Sequence, residues 1–116
     1  MMEKEKRGYP RAQVKRPARI RVGEEPESNT QLIDISEAGA TLFYPSPVVI
    51  GAAVELRFHL NTGMRTECLA YGQIRHYSVR GQSHVIGVSF THFMPETVET
   101  IREFVLLKMN VDNSRR

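Results

Sequence analysis

Apolar and polar residues alternate over most of the chain. Ala18, Ile20 and Val22 are interleaved with Arg19 and Arg21, the period of two that marks a half-buried strand. Gly23–Asn29 (GEEPESN) is an acidic turn segment. Gln31–Ser36 and Ala40–Tyr44 read as two further extended segments joined by turn chemistry at Ser36–Gly39, and Pro45 and Pro47 end the second. The clearest strand is Ala52–Leu60, with Ala52, Val54, Leu56, Phe58 and Leu60 on one face and Ala53, Glu55, Arg57 and His59 on the other. Beyond an Asn61–Gly63 turn, Glu67–Tyr77 sets Cys68, Ala70, Gly72 and Ile74 on one face, and small residues there suit a crowded interior or a barrel bend. The spacing predicts a loop at Ser78–Ser83 and a last strand at His84–Phe90.

The period changes after Pro95. Proline suits a first helical turn, and Glu96 and Glu99 lie near the positive end of the helix dipole. Val98, Ile101, Phe104 and Val105 form an apolar stripe at helical spacing, so a helix is expected to about Met109. Six short strands and one helix predict an all-β fold with a C-terminal helix, a six-stranded antiparallel β-barrel whose closure removes exposed sheet edges. Residues 1–13, polar and interrupted by Gly8 and Pro10, read as a flexible basic arm; 14–110 read as the barrel with its helix, and 111–116 as a disordered polar tail.

Length and composition narrow the function classes. A chain of 116 residues with 41% hydrophobic residues makes one domain. No apolar run approaches the roughly 20 residues that span a bilayer, and no apolar segment follows the N-terminal basic residues, so neither a membrane span nor a secretory signal is expected. The single Cys68 cannot form an internal disulfide, which points to the reducing cytoplasm. It lies within an alternating strand and reads as a small buried hydrophobe, not a nucleophile. His59, His76, His84 and His92 lack HxxxH or CxxC spacing, so no metal is expected, and Glu55 and Glu67 read as solvated strand faces. Neither a glycine-rich phosphate loop nor a GxSxG elbow is present. An enzyme is therefore disfavoured, and no cofactor is implied.

Charge adds the most specific clue. Residues 1–21 carry eight basic and two acidic residues, a net +6, whereas the remainder carries eight basic and eleven acidic residues, a net −3. Such asymmetry suggests an anionic partner. Within the arm, Arg7-Gly8-Tyr9-Pro10-Arg11 is an RxxxR preceded by Lys6. Planar guanidinium groups grip phosphates bidentately and stack on flat bases. Further on, Asp34-Ile35-Ser36-Glu37-Ala38-Gly39 is a DxSxxG, in which Asp34 and Ser36 are two apart and share one sheet face. A carboxylate accepts the two N–H groups of a guanine edge, a serine hydroxyl donates to a ring acceptor or phosphate, and Gly39 permits a tight turn with close backbone approach. Each pattern alone also fits a solvated basic arm or a Ser turn ending a strand.

Together, in this order, the two patterns resemble the PilZ domain family, receptors for the bacterial second messenger cyclic di-GMP. The resemblance covers about residues 6–108 and includes Ile86-Gly87-Val88-Ser89-Phe90, which is similar to the family's GVxF strand, followed by a helix. It implies that Arg7 and Arg11 contact phosphates and stack on guanines. It further implies that Asp34 and Ser36 bond a guanine edge and that Gly39 keeps the turn small. Lys6 stands where a basic residue leans towards a stacked pair of ligands. Cyclic di-GMP and a downstream protein partner are the implied partners, with motility, exopolysaccharide or virulence outputs, and neither DNA nor RNA is expected. Two other readings compete: a ligand-independent protein–protein adaptor and a general nucleic-acid-binding barrel. The second is disfavoured because Pro10 cannot donate to a central ladder and Phe58, Tyr71, Tyr77 and Phe90 are too scattered to form a stacking platform.

Overall fold

Six strands pair antiparallel all the way round: β1 (Ala12–Val22), β2 (Ser28–Ile35), β3 (Gly39–Tyr44), β4 (Ala53–Asn61), β5 (Arg65–Arg80) and β6 (Ser83–Phe93). The barrel order is β1-β2-β3-β6-β5-β4, and β1 pairing with β4 from Ala18↔Phe58 to Val22↔Val54 closes it. One helix among the described residues, α1 (Pro95–Ser114), follows; it runs past the end expected near Met109 and takes in residues 111–114, expected as part of a disordered tail. The computed structural model describes residues 9–114, with side chains through Met109. The expected six-stranded antiparallel barrel with its C-terminal helix is the architecture observed.

The faces of the best-patterned strands follow from their alternation. Ala18, Ile20 and Val22 of β1, and Val54, Leu56, Phe58 and Leu60 of β4, point inward with Leu32, Ile35, Leu42, Ile74 and Ile86. The outward rows carry charge. Arg19 reaches Glu27 at 3.8 Å, Arg21 reaches Glu55 at 3.8 Å, and Arg57 donates to Glu55 at 3.2 Å. At these exposures each pair adds at most a small increment to stability. Closure, and the apolar interior that it seals, holds the fold.

Three differences from the sequence pattern have physical causes. β1 begins at Ala12, inside the segment read as arm; burial alternates there too, but Arg16 holds the inward place between Val14 and Ala18 and interrupts the apolar row. The expected loop at Ser78–Ser83 is instead the end of a long ribbon: β5 and β6 continue to the Arg80↔Ser83 pair and turn through Gly81 at φ 61° and Gln82. Both faces of that ribbon are largely exposed, so no alternation marks it. Tyr77 stacks on His84 there, with the hydroxyl 2.6 Å from Nδ1. In the helix, Thr97 is buried while Val98 is only half-buried. The Leu69 N–H donates to Thr97 Oγ at 3.1 Å, which satisfies the hydroxyl inside the packing, and Ile101, Phe104 and Val105 complete the seam.

β6 is pinched between two glycines. A Cβ on Gly39 of β3 or on Gly72 of β5 would fall closer than 3.0 Å to the carbonyl oxygens of Val88 and Ser89, respectively. The small-residue run of β5 therefore marks a bend where backbone meets backbone. Gly72→Ala should cost about 2–3 kcal/mol through overpacking that only backbone movement relieves, measured as a lower urea midpoint at unchanged slope.

Cys68 is free and buried, and desolvation, aided by the neighbouring Glu67 charge, pushes its thiol up to about 12. The native thiol should resist iodoacetamide at pH 8 and react once urea unfolds the chain. Because the folded value lies above the unfolded one, stability is unaffected by this group below about pH 9. It should fall between about pH 9 and pH 12, as the unfolded thiol ionises and the native one does not.

Candidate functional site

Arg11 stands immediately before β1, whose first pairs, Ala12↔Ile35 and Gln13↔Asp34, lay it alongside the end of β2. Its Nη1 donates to Asp34 Oδ1 at 2.6 Å, joining residues 23 apart in the chain. Arg11 is half exposed, whereas Asp34 retains 16% side-chain exposure. A register shift between Leu32 and Asp34 directs both Ile33 and Asp34 away from the core while Leu32 and Ile35 face into it. The irregularity in β1 lies on the other flank of the same carboxylate. Bulges of this kind re-aim side chains near functional sites.

Ser36 does not share the outward face with Asp34. It follows the end of β2, is only 1% exposed, and its Oγ is engaged within its own turn. That oxygen accepts from Ala38 N–H at 3.1 Å and from Gly39 N–H at 3.3 Å, while Ser36 N–H donates to the Gly39 carbonyl at 2.9 Å. The Ala38 carbonyl in turn accepts from Phe90 N–H at 2.9 Å, docking the turn on β6. The close approach that Gly39 allows is thus to the Val88 backbone. Period-two counting put Ser36 outside because it carried the strand's alternation past the point where the strand ends.

The turn is also tied to the helix. Arg102 donates from Nε and Nη2 to the two Glu37 carboxylate oxygens at 3.0 and 3.1 Å, across 65 residues. This forked pair holds the guanidinium above its usual pKa, through the hydrogen bonds first and the Glu37 charge second. Neither partner was singled out from sequence, since nothing local relates a turn glutamate to a distant helix.

Next to the turn lies an open cleft of about 640 Å³, lined among others by Arg11, Thr41, Arg75, His76 and Ser89. That volume is in the range of small-molecule sites. Its exposed cationic and flat groups favour an anionic ligand with aromatic rings. Arg75 and His76 escaped the sequence reading because their motif-free strand gives no sign of which face they take. A second depression, at Arg19, Arg57, Phe58 and Glu67, is lined by arginines that already face Glu27. Lys6 and Arg7 lie outside the described residues. Among the described residues, no three His, Cys, Asp or Glu side chains converge as a metal site, and no helix is long and apolar enough to cross a membrane.

Comparisons with known proteins agree with this fold. No curated protein matches the sequence. The Bacillus subtilis inhibitor of motility MotI/DgrA is similar in structure, with a TM-score of 0.80 and 14% identity over 93% of this chain and 52% of that one. The PilZ domain of YcgR from Escherichia coli, solved with c-di-GMP, is similar with a TM-score of 0.68 and 10% identity over 92% of this chain and 94% of that one. The MrkH–c-di-GMP complex of K. pneumonia follows with a TM-score of 0.66 and 16% identity over 92% of this chain and 53% of that one. The chain thus spans about half the length of MotI/DgrA and of MrkH. At these identities the likeness establishes the fold. The family model described as PilZ domain matches residues 5–107, nearly the whole chain and both motifs within it, and the chain belongs to the PilZ domain family.

Proposed function

We propose that this protein is a cytoplasmic cyclic di-GMP receptor that hands its signal to a partner protein. The observation that carries the reading is the Arg11–Asp34 pair at 2.6 Å beside a cleft of matching chemistry. Both residues belong to the family's paired motifs. Without ligand, each neutralises the other, and the carboxylate is kept oriented with one oxygen engaged.

Ligand binding exchanges these partners. The Asp34 carboxylate accepts the two N–H groups of a guanine edge, and Arg11 moves to a phosphate or a guanine face. Arg7 supplies the second guanidinium of the clamp and Lys6 a further cation, as their places in KRxxxR imply. Ser36 and Gly39 act by shape: the serine closes the turn and the glycine lets it dock on β6, so that Asp34 stands at a fixed height. Fixing the arginine side chains on the ligand costs conformational entropy, offset by charge-assisted hydrogen bonds and stacking. The bound dinucleotide and the side chains that grip it then present a surface that the unliganded protein lacks.

Calorimetric titration with cyclic di-GMP should give saturable binding. Arg7→Ala, Arg11→Ala and Asp34→Ala should each weaken it at least tenfold, or about 1.4 kcal/mol. Wild-type affinity in both arginine variants would remove the clamp from consideration. Because the ligand binds the native state, its excess should also raise the melting temperature, by the equivalent of about 2.7 kcal/mol at a hundredfold excess over Kd. An unchanged melting temperature would instead favour a ligand-independent adaptor. The exposed Leu106, Leu107 and Met109 on the helix are the observation in that reading's favour.

A further inference from the structure

β5 breaks its own alternation at one place. Ile74 pairs with Val88 and His76 pairs with Gly87, so two residues of β5, Arg75 and His76, fill the space opposite one residue of β6. Simple alternation would turn His76 inward with Ile74, placing an imidazole in the apolar interior. The bulge instead leaves both Arg75 and His76 exposed while Ile74 is fully buried. Gly87 makes the room: His76 Cβ and Cδ2 stand 3.2 and 3.3 Å from where a Cβ on residue 87 would be. The imidazole therefore lies over a bare stretch of backbone, and any larger residue at 87 would press on it.

This bulge opens onto the cleft that contains Arg11. In barrel order the cleft runs from the Arg11 end, beside β1 and β2, across β3 and β6, to Arg75 and His76 on β5. Its middle is formed by Thr41, Gly87 and Ser89, side chains too small to divide it. One end thus holds a guanidinium paired with a carboxylate. The other holds a guanidinium and a flat aromatic ring with no role in the core.

We propose that Arg75 and His76 form a second ligand-contacting wall, in which His76 stacks on a purine ring and Arg75 meets a phosphate of the same cyclic dinucleotide. This inference rests on the receptor reading above. A ligand with two purines and two phosphates is served at one end by Arg11 and Asp34. The bulge supplies a second set of complementary groups, a π-face and a cation, at the other. Because both side chains lie outside the core, they tune affinity and base preference without contributing to folding.

Titration of the full chain with cyclic di-GMP, alongside NMR of the histidine ring protons, tests this. His76→Ala and Arg75→Ala should each bind roughly tenfold more weakly with unchanged melting temperatures. His76→Phe should restore most of the loss by keeping a flat ring. The His76 ring resonances should shift upfield on saturation, as a stacked base requires. If Arg75→Ala and His76→Ala bind as the wild type does while Arg11→Ala does not, the second wall is overturned and the receptor reading stands. His76→Phe as weak as His76→Ala, or unmoved His76 resonances, overturns the stacking role. Absence of wild-type binding overturns both readings.

Discussion

The backbone of β6 passes Val88 and Ser89 with a glycine on each side, and the rest of the molecule is arranged around that contact. Gly39 from β3 and Gly72 from β5 both approach so closely that a single methyl group would strike a carbonyl oxygen. The bend this permits lets β3 and β5 share β6, which brings the ends of the sheet round for β1 to meet β4. Closure gives every strand a neighbour on both sides and encloses one continuous apolar interior, from Ile20 and Leu56 to Ile101 of the helix. The same contact seats the Ser36–Gly39 turn, because the Ala38 carbonyl bonds to Phe90 at the next step along β6. Fold and site share one constraint.

Irregularities in the sheet then aim the functional groups. A perfect ladder would distribute side chains strictly in and out. Shifts in β1 and β2 near Asp34, and a bulge in β5 at Arg75, place polar groups together on the outer surface without putting any of them into the core. The core is built where the ladders are regular, and the site occupies the places where they are not.

The Glu37–Arg102 fork links that site to the helix. Glu37 lies inside the turn that holds Asp34 in position, and Arg102 lies on α1 between residues that pack into the interior. The turn is thereby tied to the helix, whose outward Leu106, Leu107 and Met109 are exposed. The pair is exposed, so its worth lies in orientation more than in stability.

Much of this was legible in the chain. Alternation in β4, the second half of β1 and the small-residue face of β5 determined which side chains are inside, because burial on one sheet face selects every second residue. The change of period after Pro95 determined the helix, and the two short motifs pointed to Asp34 and Arg11. The tertiary structure alone decided the rest. Ser36 is buried because β2 ends before it, and His76 is outside because a bulge reverses its face. Arg102 meets Glu37 because the helix returns over the turn. Each of these depends on a strand's end, its register or a contact between distant segments. Such features are settled by how neighbouring backbones fit together, and the residue spacing within one strand does not carry them.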